Sequence, residues 1–454
     1  MNAREFADRI ARALRAAGHQ AYLVGGCVRD ILLQREPADF DIATDATPER
    51  VQELFPRSLA VGAKFGVIVV LDETTDENPL QVEVATFRSD VGYTDGRHPD
   101  EVVYAKSAEE DVKRRDFTIN ALLLDPETNE ILDYVGGRKD LAAGIIRAIG
   151  NPALRFAEDK LRMLRAVRFA ARFRYAIEAA TFTAIVKAAP QIHEVSAERL
   201  RDELTKILTE GAARRGFELL DETRLLDQLL PEISRMKGVE QPPQFHPEGD
   251  VWTHTLMMIG ALPAGGSPTL AWGVLLHDVG KPPTFTPPSG PGDRIRFDEH
   301  AEVGTRMVEE ICHRFRFSND DTAQIMALVA NHMRFKDVPQ MKASTLKRFV
   351  RQDRFDEHLE LHRLDCTSSH GHLDNYELVR NFVANTPPEQ VRPARLVTGS
   401  DLIQMGFKPG PPFHEILDAV EEAQLNGKIT TREEAVRLIE QEFKPTGLQS
   451  KTKL

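Results

Sequence analysis

Apolar and polar positions divide this chain into two regimes. Up to about residue 148, short apolar runs at Ala21–Val24, Asp39–Ala43, Val67–Leu71, Gln81–Thr86 and Ala121–Leu124 read as strands, with helical stretches between several of them. Thr47-Pro48-Glu49 opens a helix over Thr47–Leu54, because the hydroxyl caps unpaired amides and proline suits the first turn. The opening stretch to Gly18 has the spacing of an amphipathic helix, its apolar positions interrupted by charges. Residues 87–104 are polar and glycine-rich and predict a long exposed loop. Past about residue 150 the spacing turns helical, over 152–174, 178–190 and 196–210, and strand signal nearly vanishes. Proline and glycine cluster at 241–249, 262–268 and 282–292, marking joints, and two more helices are expected over 413–425 and 431–443.

At 454 residues the chain is too long for a single core, so two to four domains are expected. No apolar run approaches the ~20 residues of a membrane span, which points away from a membrane protein. Three cysteines, Cys27, Cys312 and Cys366, are odd in number and far apart. That usage fits a reducing cytoplasm and argues against a disulfide framework or a cysteine-zinc site. The net charge of −12 counts against nucleic acid covering the whole surface. Between Arg147 and Arg174, however, eight Lys/Arg face two acids, a local surplus that could hold a polyanion.

Candidate chemistry begins at Leu23-Val24-Gly25-Gly26-Cys27-Val28-Arg29-Asp30. Paired glycines at a strand end let backbone amides approach a phosphate. Asp39 and Asp41 flank Phe40, and in a strand alternate residues share a side, so the two carboxylates would stand together with Phe40 turned into the core. Two close carboxylates call for a compensating cation, and Mg2+ favours oxygen ligands shared with substrate phosphates. Either feature alone is more often a turn or a solvated strand edge; together they suggest phosphoryl or nucleotidyl transfer. Lys113-Arg114-Arg115-Asp116-Phe117-Thr118 could hold a triphosphate, or be a basic helix end. On a helix Asp159, Arg162, Arg165 and Arg168 would form one stripe, either a salt-bridged solvated face or a base reader. Cytosine and adenine each show an amino donor beside a ring-nitrogen acceptor. A carboxylate accepts and a guanidinium donates, so a rigid Asp159/Arg162 pair would match both bases and mismatch uracil and guanine, leaving Arg165 and Arg168 for phosphates.

Gly-Gly-x-Val-Arg-Asp at 25–30, Asp-x-Asp at 39–41, Arg-Arg-Asp-Phe-Thr at 114–118, Glu-Asp-x-x-Arg at 158–162 and Ser-Ala-Glu-Arg at 196–199 occur in one order. Together they closely resemble the motifs of the bacterial tRNA nucleotidyltransferase/poly(A) polymerase family, the CCA-adding type in particular, over roughly residues 18–210. The resemblance implies an α+β head of polymerase-β nucleotidyltransferase type (1–148), then an all-α neck (149–225), an HD-containing body (240–375) and a helical tail (376–454). It implies Mg2+ on Asp39 and Asp41, which activate a tRNA 3′ hydroxyl. Gly25, Gly26 and Arg29 would lie at the nucleotide phosphates and Arg115 and Asp116 near the nucleotide. Asp159 and Arg162 would read the base, with Arg165 and Arg168 in support. ATP, CTP and tRNA are the implied partners. Arg97-His98-Pro99 falls where the family carries a flexible loop tied to the switch from C to A addition. CC-only or A-only addition and poly(A) synthesis are the enzyme alternatives.

Ten of the fourteen histidines lie between His246 and His372. Imidazole and carboxylate together suit a divalent transition metal. The order His254, His277-Asp278, Asp365 resembles an HD-type metal-dependent phosphohydrolase, with these four as the ligands of a second divalent metal and His300 and His332 as second-metal or phosphate contacts. A contrasting reading makes this region the main activity and the head an RNA-binding module; intact Asp39 and Asp41 argue against it.

Overall fold

A computed structural model describes residues 2–62, 66–72, 79–91, 101–105 and 107–443. Close packing divides the chain into two units. The first comprises Met1–Lys237, Ile259–Ala271 and Cys312–Phe317; the second Gly238–Met258, Trp272–Ile311 and Ser318–Leu454.

The first unit opens with helix α1 (Ala3–Ala16), started by a capping box between Asn2 and Glu5 and burying Phe6, Ile10 and Leu14. Strand β1 (Ala21–Val24) leads through Gly25 into α2 (Gly26–Leu32). There follow β2 (Asp41–Thr44), α3 (Pro48–Leu54) capped by Thr47, β3 (Ser58–Gly62), β4 (Val67–Leu71) and β5 (Gln81–Thr86). Next come β6 (Arg88–Val91), β7 (Glu101–Tyr104), α4 (Ala108–Lys113), β8 (Leu123–Leu124) and β9 (Ile131–Leu132). Seven strands make one mixed sheet in the order β3-β4-β5-β2-β1-β8-β9. In its centre β2 runs antiparallel to β1 and parallel to β5, so Asp41 stands level with Val24 on one side and Glu83 on the other.

The long loop expected over 87–104 is corrected at both ends. Arg88–Val91 pairs antiparallel with Glu101–Tyr104, and an isolated two-stranded ribbon need not carry the apolar alternation that would announce it. Arg97-His98-Pro99 lies outside the described residues. Beyond the sheet come α5 (Gly137–Ala143), α6 (Pro152–Glu158), α7 (Leu161–Phe173), α8 (Ala179–Ala188), α9 (Ala197–Thr209), α10 (Ala213–Glu222), α11 (Leu225–Leu229) and α12 (Pro231–Ser234). The continuous helix expected over 152–174 is broken. Asp159 has extended backbone, φ −147° and ψ 106°, and closes α6 before α7 begins.

The second unit is nearly all helical among its described residues. Its site is carried by α13 (Val251–Gly260), α14 (Pro268–Leu276), α15 (Lys281–Thr284), α16 (His300–Arg314), α17 (Asn319–Asn331), α18 (Ala343–Val350) and α19 (Phe355–Ser368). Phe335, Phe349 and Phe355 knit one core cluster here, and a separate one beneath 397–439 gathers Leu402, Ile416, Val420 and Ile439. Two short antiparallel pieces, Phe285–Thr286 and Arg296–Phe297, are strands that the helical spacing does not announce. No helix among the described residues is long and apolar enough to cross a membrane.

Candidate active site

The sheet of the first unit places its acids by register. Asp41 opens β2, and its carboxyl is pushed up to about 6, first by burial, then by Glu83 and Asp39, against an opposing pull from Arg115. Asp39 is exposed and precedes the strand rather than lying in it, while Phe40 between them is 6% exposed, turned inward as its spacing predicts. Glu83 is the residue sequence reasoning missed. It is an acid on the exposed positions of a strand whose alternate residues Val82 and Val84 are buried, which is a visible signal. Only the register of β5 against β2 makes it a neighbour of Asp41. Three acids around one strand end, the buried one holding a proton too readily, fit a divalent cation.

Gly25 turns the chain out of β1 with φ +79°, a conformation side chains rarely adopt. A Cβ built there would lie 3.8 Å from Arg115 Nη1 and 3.9 Å from Asp41 Oδ2, so Gly25, Arg115 and Asp41 enclose one small space, and Gly26 starts the helix beside it. Arg115 is oriented by Asp111 Oδ2, which accepts from its Nε at 3.1 Å and its Nη2 at 2.9 Å. Asp111 accepts Arg114 on its other oxygen. Burial opposes ionisation of Asp111, but the two guanidiniums outweigh it and hold the carboxyl below its ordinary value.

Two residues expected at the nucleotide are turned inward instead. Arg29 is 4% exposed; it donates to Asp30 at 2.9 and 3.1 Å and to Asn120 at 2.6 Å, and lies 4.6 Å from the Phe173 ring centre. Asp116 accepts from Arg165 at 2.9 and 2.7 Å through one oxygen and from Phe117 N and Asn120 through the other. Burial raises its carboxyl, and Arg165 more than reverses that. Arg29, Asn120, Asp116 and Arg165 therefore form a chain of hydrogen bonds beneath the acids.

The stripe expected at Asp159, Arg162, Arg165 and Arg168 is not one face. Asp159 sits in the break between helices, where Oδ1 accepts from Leu161 N at 3.0 Å and Oδ2 from Arg199 at 2.8 Å. Arg162 donates to Glu158 at 2.7 Å and to the Arg114 and Arg155 carbonyls. Arg165 turns to Asp116, and Arg168 to Glu203 at 2.5 Å and Glu210 at 3.1 Å. Both Arg165 and Arg168 are paired with carboxylates from other elements: Arg168 is buried, whereas Arg165 is half-buried and engages Asp116 through Nε and Nη2. Asp159 and Arg162 stay together at the joint, and Arg199, within the Ser-Ala-Glu-Arg motif, is the added partner.

The second unit assembles the histidines. His254 of α13 has Nε2 3.2 Å from Asp365 Oδ1 of α19 and Nδ1 2.7 Å from Glu248 Oε1. Burial opposes its charge, yet the two carboxylates lift it to about 9. His277 Nε2 is 3.0 Å from Asp278 Oδ2, and His300 and His332 each bring Nε2 to 3.8 Å from Asp278 Oδ1. Burial pushes His332 down to about 3. Gly280 makes this possible, since a Cβ there would fall 2.0 Å from the His300 carbonyl oxygen. A cavity of about 650 Å³ opens onto Asp278, His300, His332 and Asp365.

Three family models match: Poly A polymerase head domain at residues 21–147, probable RNA and SrmB-binding site of polymerase A at 174–237, and tRNA nucleotidyltransferase domain 2 (putative) at 300–439. The CCA-adding enzyme of Bacillus cytotoxicus is 31% identical over 443 residues, 95% of this chain and 96% of that protein. That of Bacillus subtilis is 46% identical over 220 residues, 48% of this chain. In that and other curated relatives the match spans about half of their length, 54% and 49% in two cases. Among solved structures, the Bacillus stearothermophilus CCA-adding enzyme in complex with CTP superposes with a TM-score of 0.73 at 28% identity, covering 97% of this chain and 98% of that one.

Proposed function

This chain belongs to the CCA-adding enzyme family, and on that premise we propose that it adds C and A nucleotides to tRNA 3′ ends from CTP and ATP, without a template, in the cytoplasm. The observation that carries this reading is the acid cluster of Asp39, Asp41 and Glu83 against Gly25 and Arg115, with the Asp41 carboxyl raised to about 6 by burial and its acidic neighbours. The family uses divalent cations; the hard oxygen donors here favour Mg2+. When bound, the cation supplies charge neutralisation and a lowered pKa for the attacking hydroxyl.

Asp39 and Asp41 are the proposed catalytic and cation-holding residues, with Glu83 beside them. Asp39 and Asp41 would hold that cation, and Asp41 would orient the tRNA 3′ hydroxyl toward the α-phosphorus. The bond from the 3′ oxygen to that phosphorus would form as the bond to pyrophosphate breaks, with the hydroxyl proton passing to solvent. Gly25 and Gly26 leave room for the triphosphate, and Arg115 faces it. Asp159 and Arg162 would present acceptor and donor to the base, fixed by Arg199 and Glu158. Arg29, Asp116 and Arg165 hold this arrangement from below, and Arg168 fastens α7 to α9. Residues 1–148 would be the catalytic head, 149–225 the neck, 240–375 a metal-binding body and 376–454 a tRNA-binding tail. Incubating tRNA transcripts that lack one, two or all three terminal nucleotides with CTP and ATP together, one of them labelled, tests the reading. Full CCA addition predicts growth of all three to the same end; growth limited to C or to A alone, or an open-ended A tract, would reject it. Asp41→Ala is expected to abolish incorporation.

A second reading is favoured by the buried imidazole and carboxylate groups. His254, His277, Asp278 and Asp365 hold a divalent transition metal in an HD-type site that hydrolyses a phosphate ester. His277→Ala should remove hydrolysis and spare nucleotide addition.

A further inference from the structure

Three imidazoles of the second unit's cluster have one nitrogen committed to the backbone. His277, His300 and His332 place Nδ1 on a carbonyl three residues earlier, at Val274 (2.8 Å), Phe297 (2.8 Å) and Val329 (2.6 Å). A carbonyl only accepts, so these rings keep a proton on Nδ1 and turn Nε2 inward. His254 is the exception. It lies inside α13, where the carbonyl three residues earlier, that of Val251, already accepts from the Thr255 hydroxyl at 2.8 Å. Its Nδ1 makes no bond to the backbone.

The acceptor that faces His254 Nδ1 comes from outside the helix. Glu248, in the proline- and glycine-rich loop before α13, brings Oε1 to 2.7 Å from that nitrogen, and the two side chains are 5% and 0% exposed. The same oxygen accepts from His246 Nδ1 at 2.8 Å, and the His246 and His254 rings meet edge to face with centres 4.9 Å apart. Glu248 Oε2 is buried without a partner, and neither nitrogen of His254 completes an aligned hydrogen bond. The carboxylate therefore has a second oxygen in reserve, one for each imidazole. Its loop is tied down on both sides: Gly238 N donates to Asp250 Oδ2 at 2.6 Å, Val251 N to the Val239 carbonyl at 3.0 Å, and Lys281 Nζ to Gln241 Oε1 at 2.6 Å. On the far side of the ring, His254 Nε2 lies 3.2 Å from Asp365 Oδ1.

We propose that Glu248 is a positioning residue for the cation of the second unit: it keeps the His254 proton on Nδ1 and so presents the Nε2 lone pair beside Asp365. This rests on the HD-type reading above and adds a residue outside its set of His254, His277, Asp278 and Asp365. A ligating imidazole whose other N–H is given to a carboxylate is both fixed in orientation and made a better donor. The charged acceptor also forms a stronger bond than the backbone carbonyls that serve the other three rings. His254 is thereby the imidazole of the cluster whose donor strength is set by a side chain, and a single substitution reaches it.

The full chain, stripped of transition metal and titrated with Zn2+ against a competing chelator in excess Mg2+, tests this, because Mg2+ suits the all-oxygen site of the first unit. Glu248→Gln should bind Zn2+ about 10–100-fold more weakly. The metal-free melting temperature should not fall, read by fluorescence of Trp252 and Trp272, which both belong to the second unit. In a His254→Gln background the same change should have no further effect on affinity, because it acts through that ring. Unchanged affinity in Glu248→Gln overturns the proposal and leaves the HD-type reading standing. A loss of equal size in both backgrounds makes Glu248 a distant charge, and a lowered metal-free melt makes it structural; either overturns the positioning role. Histidine nitrogen NMR of the unmodified chain loaded with Zn2+ needs no variant of Glu248: His254 should carry a proton on Nδ1 and zinc on Nε2, and the reverse arrangement overturns the proposal. Absence of Zn2+ binding by the unmodified chain overturns the HD-type reading and this role with it.

Discussion

Arg168 separates a residue that serves the nucleotide from one that serves the fold. Its spacing assigns it to the nucleotide side of a helix, whereas the structure buries it against Glu203, 6% and 3% exposed respectively. The pair is 2.5 Å apart, and Glu210 sits at 3.1 Å on the other side of the guanidinium. Arg168→Met keeps most of the packing against Phe169 but leaves Glu203 buried without its ion. Removing one member of a buried pair costs about 3–5 kcal/mol, since the remaining charge keeps its desolvation penalty. Arg165 also feels Glu203, which places the expected loss at the lower end, about 3 kcal/mol. For a unit of this size that is roughly a 6–12 °C fall in melting temperature. Glu203→Gln in the same chain should restore most of it, because the stranded charge goes too. Both tryptophans, Trp252 and Trp272, belong to the second unit. Far-UV circular dichroism should therefore show the shifted transition while tryptophan fluorescence does not. At temperatures where the variant is folded, its KM for CTP and ATP should match the unmodified chain. An unshifted melt with a raised KM would refute the structural assignment of Arg168, and a double variant as unstable as the single one would refute the stranded-charge account.

Four further outcomes are expected. Asp41→Asn should stabilise the chain in EDTA at pH 7.5. The fold raises this carboxyl to about 6, so the cost of its charge stands above that pH and disappears as pH falls through it toward the unfolded value, and the gain should fade over the same window. A gain that grows in acid would contradict the sign. Glu83→Gln should weaken apparent Mg2+ affinity, raising the Mg2+ concentration needed for nucleotide incorporation by about 10–100-fold in a Mg2+ titration, since it removes one of the acids around the site; an unchanged midpoint would place Glu83 outside it. Arg199→Met should loosen Asp159 and lower discrimination of C and A over U and G in single-turnover incorporation, with little change in melting temperature; intact discrimination would move base reading elsewhere. Gly280→Ala should cost about 1–3 kcal/mol and lower the transition-metal content of the purified chain, because its Cβ meets the backbone of His300 and Gly304, which cannot rotate away as a side-chain tip would. An unchanged metal count would show that α16 can retreat without losing the site.

Much of the first site was legible. Strand limits at Ala21–Val24, Val67–Leu71 and Gln81–Thr86 agree with the structure, and Phe40 is buried between Asp39 and Asp41 as period two requires. The crowding of histidines from His246 to His372 does correspond to a convergence of side chains in space. Local pattern served there because each feature depends on a residue's own neighbours along the chain. Glu83 was not legible, because its role comes from the pairing of β5 with β2, and a strand's sequence states which face a residue takes but not which strand lies alongside. The break at Asp159 was hidden for a related reason. Leu161 and Leu164 continue the apolar spacing of a helix, while the interruption is made by a side chain bonding to the next helix's amide and to Arg199, forty positions on.

Charge was the least legible quantity, and the stretch from Arg147 to Arg174 shows why. A surplus of basic residues along the chain predicts a positive field only if their counter-ions are also local. Seven of the eight have carboxylates within 3.4 Å: Asp140 for Arg147, Glu158 for Arg155 and Arg162, Glu194 for Lys160, Asp116 for Arg165, Glu203 for Arg168 and Glu210 for Arg172. Of these acids only Glu158 lies inside the stretch. The others come from elements before and after it, so folding brings in the neutralising charge that the linear count omits. A polyanion approaching α7 therefore meets guanidiniums already paired with carboxylates, of which Arg168 is buried, Arg162 and Arg165 are half-buried and Arg172 is exposed. Arg115 is the instructive contrast. It is fixed by Asp111 through Nε and Nη2, and its Nη1 stands toward Gly25 and Asp41. Nucleotide recognition in this chain is better sought where a guanidinium is half-bonded and aimed than where basic residues are merely dense.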